Sequence, residues 1–121
     1  MNLGGAMIFA KDMQRMIAFY RDGIGLRLLT DKSKDGWAEF DAGVGSLILH
    51  GIPIDIATNI QITTPPKARE STPIKLIFRA IDVDQARLHL KQQGAEMFEP
   101  RPWGACDGLD PEGNVFQIIS A

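Results

Sequence analysis

A chain of 121 residues, 45% hydrophobic and 23% charged, is long enough for one packed core and too short for two ordinary domains. Thirteen basic and fifteen acidic residues give a net charge of -2, with no basic run to follow a phosphate backbone, so nucleic acid is not an expected partner. The longest apolar runs are strand-length and the N-terminus lacks a signal-peptide pattern, so we expect a cytoplasmic protein without a membrane partner.

One cysteine, Cys106, is present, so the chain cannot form an internal disulfide. No CxxC motif or closely spaced set of cysteine and histidine residues offers a zinc site. We therefore expect Cys106 to be a small filler or loop residue, and a reactive thiol is the alternative.

The chain opens with a strand and then a helix. Apolar residues 7–9 predict the strand, and Asp12 is a suitable N-cap for the helix that follows. Gly23 and Gly25 then end that helix. Its apolar side chains recur at the helical spacing i, i+3, i+4 and i+7, at Met13, Met16, Ile17 and Tyr20.

Residues 26–51 predict a meander of three short strands. A polar turn spans 32–36, and three glycines separate apolar or alternating runs, at Gly43, Gly45 and Gly51. The following segment, 53–73, contains four of the seven prolines and mixed charge. We expect it to be a connection with little regular structure apart from a candidate strand at 58–63.

The second half repeats the pattern of the first. An apolar strand precedes an aspartate cap at Asp82, and the helix that follows ends at Gly94. Corresponding features lie about 70 residues apart, in the pairs Phe9 and Phe78, Asp12 and Asp82, and Gly25 and Gly94. This spacing indicates an internal duplication in which each half has the order β-α-β-β-β.

Two such units, with KDMQRMIAFYRDGIGL at 11–26 and WG followed by LDPEGN at 109–114, resemble the glyoxalase/bleomycin-resistance/extradiol-dioxygenase family, also called vicinal oxygen chelate proteins. The resemblance implies a single α+β domain of two βαβββ modules that form a curved mixed sheet around a cleft. Module one spans about 1–52, the connection about 53–73 and module two about 74–121. Family members are commonly dimers, and symmetric pairing is usual in small oligomers, so we also expect a homodimer.

The resemblance also identifies the positions of the family's metal ligands, which lie on the opening and last strands of each half and are usually His, Gln or Glu. Here those positions carry Gly5, Ile48, Lys75 and Gln117. Only Gln117 could ligate, because glycine and isoleucine have no donor atom and protonated lysine repels a cation. We therefore expect no metal and no cofactor, with Gln117 as a hydrogen-bonding residue of the cleft.

Strand periodicity agrees with this alignment, because alternate residues of a strand point to opposite faces of a sheet. The face predicted to pack under the helices is wholly apolar and consists of Ala6, Ile8, Leu47, Leu49, Leu76, Phe78, Phe116 and Ile118. The four ligand positions fall on the other face, with Met7, Phe9, Ser46, His50, Ile77, Arg79, Val115 and Ile119. Shifting the register by one residue would bury Lys75, Arg79 and Gln117, at a cost of roughly several kcal/mol.

The cleft face offers candidate binding residues, each with a plainer interpretation. Lys75 and Arg79, roughly 13 Å apart along one strand, could favour a carboxylate or phenolate, or Lys75 could simply pair with an acid such as Glu39. His50 could act as a general base near neutral pH, or be a half-exposed residue at a strand end.

Three aromatic residues, Phe9, Trp37 and Trp103, could form a stacking wall for a flat ligand, whereas the two tryptophans could instead anchor a dimer interface. The predicted ligand-binding set is therefore Phe9, Trp37, His50, Lys75, Arg79, Trp103 and Gln117. The candidate catalytic residues are His50 and Lys75.

Three functions fit these residues. The first is a metal-free small-molecule binder, similar to the drug-sequestering branch of the family, for an apolar or aromatic ligand that could be anionic. The second is a lyase, isomerase or dioxygenase-type enzyme that uses acid–base chemistry at His50 and Lys75 or a displaced metal site. The third is a non-catalytic assembly module whose cleft is filled by its own side chains.

Overall fold

The computed structural model describes residues 4–69 and 74–121. The chain divides into two compact units, Met1–Gln61 and Ile62–Ala121, and each unit contains one four-stranded sheet. The predicted module boundaries remain a prediction.

The first unit has the predicted order of strand, helix and three strands. Its elements are β1 (Gly5–Ala10), α1 (Met13–Ala18), which continues as a π-helical turn (Phe19–Gly23), β2 (Arg27–Leu28), a 3₁₀ turn (Thr30–Lys32), β3 (Trp37–Asp41), β4 (Ser46–Gly51) and a short helix α2 (Ile54–Ala57). The strand order in the sheet is β1-β4-β3-β2. β1 and β4 are parallel, and the other pairs are antiparallel.

The second unit repeats this topology. Its elements are β5 (Leu76–Ala80), α3 (Val83–Gln92), β6 (Glu96–Met97), β7 (Cys106–Leu109) and β8 (Val115–Ser120). The strand order is β5-β8-β7-β6, with β5 and β8 parallel and the other pairs antiparallel. Two mixed four-stranded sheets with helices give an α+β fold, so the predicted βαβββ duplication is confirmed.

Both long helices begin at the predicted aspartates. Asp12 Oδ1 accepts a hydrogen bond from the Arg15 amide at 3.1 Å, and Asp82 Oδ1 accepts one from the Gln85 amide at 3.0 Å. Each carboxylate thereby satisfies an amide that has no partner within its own helix.

One face of each sheet is apolar, as the alternation predicted, and it is buried on the last strand and half-buried on the opening strand. The buried side chains of the last strands are Leu47, Leu49, Phe116 and Ile118, and their neighbours Met7, Phe9 and Ile77 on the other face are exposed. The Tyr20 ring lies 6.5 Å from Phe40 on the buried face of the first sheet. In the second unit, the α3 residue Arg87 lies beside Cys106, which shares the buried face with Ile118. We call the opposite face of each sheet its exposed face.

The segment after β4 differs from its prediction. The candidate strand at 58–63 is wrong, because the chain instead turns through α2 and residues 58–63 pair with no strand. Thr58 and Asn59 donate side-chain hydrogen bonds to the Asp55 carbonyl, at 3.1 and 3.2 Å. These local bonds compete with strand pairing and close the end of the helix.

Within residues 4–69 and 74–121, no helix is long and apolar enough to cross a bilayer.

The turn before β8 is held by a fully buried carboxylate, that of Asp110. Its Oδ1 accepts from the amides of Glu112 and Asn114, both at 2.9 Å, and its Oδ2 accepts from Asn114 Nδ2 at 2.7 Å. Gly113 has a φ of 86°, and its carbonyl accepts from the Arg69 amide at 3.1 Å. A Cβ at position 113 would lie 2.0 Å from the Lys67 carbonyl oxygen.

We therefore predict that Gly113→Ala strongly destabilises the protein. Gly43→Ala is the matched control, because Gly43 has a φ of 92° but no atom within 4 Å of an added Cβ. The control should lower the free energy of unfolding by about 1–2 kcal/mol through backbone strain alone. Gly113→Ala should lower it by about 3 kcal/mol or more, because the Lys67 backbone must also move. Urea unfolding measures both, and equal losses would contradict the close contact.

Candidate functional site

An aromatic ledge, formed by Phe9, His50 and Trp37, lies on the exposed face of the first sheet. Strand register brings the three together, because His50 is paired with Phe9 on one side and with Trp37 on the other. The ring centroids of Phe9 and Trp37 lie 5.3 and 5.5 Å from the imidazole, with interplanar angles of 84° and 83°. The imidazole is therefore flanked edge-on by two aromatic rings.

The polar atoms of the ledge belong to His50 and Trp37. His50 Nδ1 is buried and has no hydrogen-bond partner among the described residues. Phe9 is 54% exposed, whereas Trp37 and His50 are half-buried. The ledge thus presents an apolar surface whose central ring has an unused polar atom.

Polar residues lie on the same face toward β2. Ser46 Oγ donates to Glu39 Oε1 at 2.7 Å, and Arg27 forms an ion pair with Asp41 at 3.0 Å. Arg27, Asp41 and Ser46 are register neighbours on the same face. They also line an open groove of about 490 Å³, together with Leu29, Asp31, Lys32, Gly43 and Gly45.

The second unit contains a charged group of side chains, which we call the Asp107 cluster: Asp107, Gln117, Lys75 and Arg101. Gln117 lies opposite Asp107 in the β7–β8 pair and donates through Nε2 to Oδ1 at 2.8 Å. Oδ2 accepts from Arg101 Nη2 at 2.8 Å and from Lys75 Nζ at 3.2 Å. Lys75 thus pairs with an acid, as its plainer interpretation expected, and within the second unit that acid is Asp107.

The Asp107 carboxylate is held ionised in spite of its burial. Its side chain is only 7% exposed, and that burial works to raise its pKa. Hydrogen bonds from Arg101, Gln117 and Lys75 act in the opposite direction and prevail, so the pKa of Asp107 lies below its ordinary value. The cluster therefore holds one carboxylate against two cations.

The other two predicted site residues of this unit lie apart from the carboxylate. Arg79 is exposed and pairs with Ile119 in register, two positions beyond the pairing of Ile77 with Gln117. Trp103 is exposed in the loop before β7, and its ring centroid lies 5.6 Å from the Arg101 guanidinium carbon. Arg101, and not Arg79, is the arginine that joins Lys75.

The residues at the family's metal positions do not supply a ligand set. A Cβ at Gly5 would lie 2.4 Å from the Ser46 carbonyl oxygen, so the backbone itself leaves no room for a side chain there. Ile48 has no donor atom, and the donors of Lys75 and Gln117 contact Asp107. In the ranges 4–69 and 74–121, no three His, Cys, Asp or Glu side chains converge as metal ligands.

Sequence reasoning missed two members of the cluster, Asp107 and Arg101. A signal for Asp107 was present in the turn at 110–114. That turn closes the hairpin with Leu109 opposite Val115. Two residues farther from the turn on each strand, Asp107 is therefore opposite Gln117. Arg101 carried no such signal, because it lies in a loop whose course the strand pattern does not fix.

Cys106 fits the filler interpretation. It is buried on the helix-covered face, and its thiol donates to the Phe98 carbonyl at 3.2 Å. Burial raises its pKa, and the nearby Arg87 only partly offsets this effect, so the thiol stays protonated and unreactive near neutral pH.

We predict that Asp107→Asn destabilises the protein by about 1–3 kcal/mol near pH 7, because two cations lose their shared counter-ion. The loss should lie near the lower end, because Lys75 and Arg101 are 40% and 48% exposed. The pKa of Asp107 is lowered in the folded state. Its contribution is therefore complete above the unfolded-state pKa of about 3.9 and is lost as the pH falls through the folded-state pKa.

Urea unfolding at about pH 7 and about pH 3 checks this prediction. The difference in the free energy of unfolding between wild type and Asp107→Asn should be smaller at the lower pH. Asp35→Asn is the control, because Asp35 is exposed and has no ion-pair partner among the described residues. A difference in the free energy of unfolding that is the same at both pH values would contradict the ionic role of Asp107.

Several solved structures share this fold at low sequence identity. FosX, a fosfomycin resistance protein from Mesorhizobium loti, superposes with a TM-score of 0.73 at 15% identity, over 99% of this chain and 92% of that one. FosX from Listeria monocytogenes, solved with Mn(II) and sulfate, superposes with a TM-score of 0.74 at 16% identity, over 99% of this chain and 90% of that one. TnmS3, an antibiotic binding protein from Streptomyces sp. CB03234, superposes with a TM-score of 0.68 at 23% identity, over 99% of this chain and 95% of that one. At these identities the likeness establishes the fold alone.

No curated protein matches the chain. The family match is extensive, because residues 2–118 fit the family described as Glyoxalase/Bleomycin resistance protein/Dioxygenase superfamily. The fold agrees with that match, since each unit has the βαβββ topology that the resemblance implied. This chain therefore belongs to the Glyoxalase/Bleomycin resistance protein/Dioxygenase superfamily.

Proposed function

We propose that this chain binds or sequesters a small organic molecule, apolar or aromatic, without the metal that family enzymes use. The observation that carries the proposal is the aromatic ledge of the first unit, in which Phe9 and Trp37 flank His50 on the exposed face. Such a surface suits a flat ligand, because ring edges and faces supply apolar contact.

The side chains at the ligand positions support the metal-independent part of the proposal. Divalent cations need several converging donors, and here Gly5 and Ile48 supply none. Gln117 has its amide nitrogen committed to Asp107, and Lys75 brings a positive charge. A metal ion beside Gln117 would meet two positive side chains, and the Asp107 carboxylate already accepts their hydrogen bonds.

The groove and the relatives support small-molecule binding. A volume of about 490 Å³ lies within the range of small-ligand sites, and its Arg27, Asp41 and Ser46 belong to the same sheet face as the ledge. TnmS3 is described as an antibiotic binding protein and FosX as a fosfomycin resistance protein. We extend the binding of a small molecule, and not the identity of the ligand, to this chain.

We predict that a neutral flat probe, naphthamide, binds at the ledge. Phe9→Ala should weaken this binding about three- to tenfold, because one aromatic contact is lost. Phe9 is half exposed on an edge strand, so the variant should still fold. Ile56→Ala in α2 is the control, since Ile56 is an apolar side chain as exposed as Phe9, at 54%, and lies outside the sheet. Amide chemical shifts during titration report both the affinity and the residues in contact.

Elemental analysis of the purified protein completes the test. We expect zinc, nickel, iron and manganese well below one equivalent per chain. Stoichiometric metal bound through Gln117, or naphthamide binding that Phe9→Ala leaves unchanged, would contradict the proposal.

An acid–base enzyme is the second candidate, and His50 favours it, because its imidazole is half-buried between two aromatic rings on the exposed face of the first sheet. Lys75 is the weaker catalytic candidate, since its ammonium group is paired with Asp107. Turnover of a bound compound that is lost in His50→Gln, with binding retained, would support this second function.

We also propose that the protein is cytoplasmic, from its strand-length apolar runs, and that it is a homodimer, from the family resemblance and the symmetric pairing usual in small oligomers. Several large apolar side chains are exposed and could be covered by a second copy, among them Val44, Ile54 and Ile81. Light scattering at micromolar concentration should give twice the chain mass of 13.3 kDa. A single species of 13.3 kDa would remove the dimer.

A further inference from the structure

The Asp107 cluster carries more positive charge than its own carboxylate can balance. Lys75 and Arg101 both contact Oδ2 of the same aspartate, so one positive charge remains unmatched within the cluster. An ammonium group has three N–H donors and a guanidinium has five, and each cation uses one on Asp107. With 40% and 48% of their side chains exposed, both cations have donors that can reach a ligand.

Asp107 holds these two cations in place. The carboxylate is itself fixed by the β7–β8 pairing and by the 2.8 Å hydrogen bond from Gln117. Long basic side chains on a surface usually lose rotamer freedom when they bind an anion. Here much of that ordering is already present in the folded protein, which lowers the cost of binding.

An aromatic surface lies next to the cations. The Trp103 ring is 72% exposed, and the Arg101 guanidinium lies 5.6 Å from its centroid. Ile77, also exposed, is paired with Gln117 on the exposed face of the sheet. Charged donors and apolar surface are therefore adjacent within one unit.

We propose that Lys75 and Arg101 form an oxyanion site for a planar organic monoanion, such as an aromatic carboxylate, and that Trp103 contacts the ring of this ligand. Asp107 is a positioning residue, because it acts on the ligand only through the two cations. A guanidinium can bind both oxygens of a carboxylate, and one negative charge balances the excess of the cluster. This inference rests on the proposed small-molecule function and specifies the class of its ligand.

The test compares naphthoate with its neutral isostere naphthamide, which differ in charge but hardly in shape. Wild-type protein should bind naphthoate about tenfold more tightly, through charge-assisted hydrogen bonds. The preference should shrink as the ionic strength rises from about 0.01 M to about 1 M, because both cations are partly exposed.

Two variants, Arg101→Gln and Lys75→Gln, should each remove most of the preference for naphthoate while leaving naphthamide binding unchanged. Lys91→Gln is the matched control, because it removes the same charge from an exposed residue of the same unit that lies on α3, outside the sheet. Lys91→Gln should therefore keep the preference. Urea midpoints measured in parallel verify that each variant is folded.

Trp103→Ala keeps both cations and provides a second, independent readout. It should weaken naphthoate binding about three- to tenfold through the lost ring contact. Equal affinities of the wild type for the two probes, or an equal effect of Lys91→Gln and Arg101→Gln, would overturn the oxyanion site. Neither result affects the ledge, whose test is the response of naphthamide binding to Phe9→Ala.

Discussion

The register between β7 and β8 is the constraint on which the second unit depends. The buried Asp110 carboxylate fixes the turn at 110–114 through three hydrogen bonds, and the turn places Leu109 opposite Val115. Every later pair follows, including Gln117 opposite Asp107. A slip of one residue would turn Gln117 under the helix and expose its apolar neighbours, so the whole cluster exists only in this register.

The partner of Gln117 explains why this amide lies in an otherwise apolar strand. A buried carboxylate is costly unless its oxygens are hydrogen-bonded, and Asp107 obtains donors from an amide, an ammonium and a guanidinium. Two of the three donors are positively charged side chains, so the strand's amide, the buried carboxylate and two cations form one hydrogen-bonded group.

The two units have the same topology but present different exposed faces. Equivalent backbone bonds, Ile52 to the Ala10 carbonyl and Ala121 to the Ala80 carbonyl, both 2.9 Å, align the opening strands seventy positions apart. Phe9 is therefore equivalent to Arg79, and the correspondence of Phe9 with Phe78 drawn from the sequence is wrong by one residue. The shift of one residue moves the side chain to the other face of the sheet. Phe78 lies beside Phe116 of the buried face, whereas Phe9 is exposed.

The sequence alone determined the βαβββ order of each unit, the duplication and the apolar face of each sheet, because caps, turns and the two-residue period of a strand are local properties. It did not determine the connection after β4, where a helix replaces the candidate strand. It also determined that Gly5 and Ile48 offer no metal donor. Tertiary structure decided which side chains meet: Lys75 with Asp107, and His50 between Phe9 and Trp37. Strand register and the direction of long side chains from loops set those contacts, and neither follows from spacing along the chain.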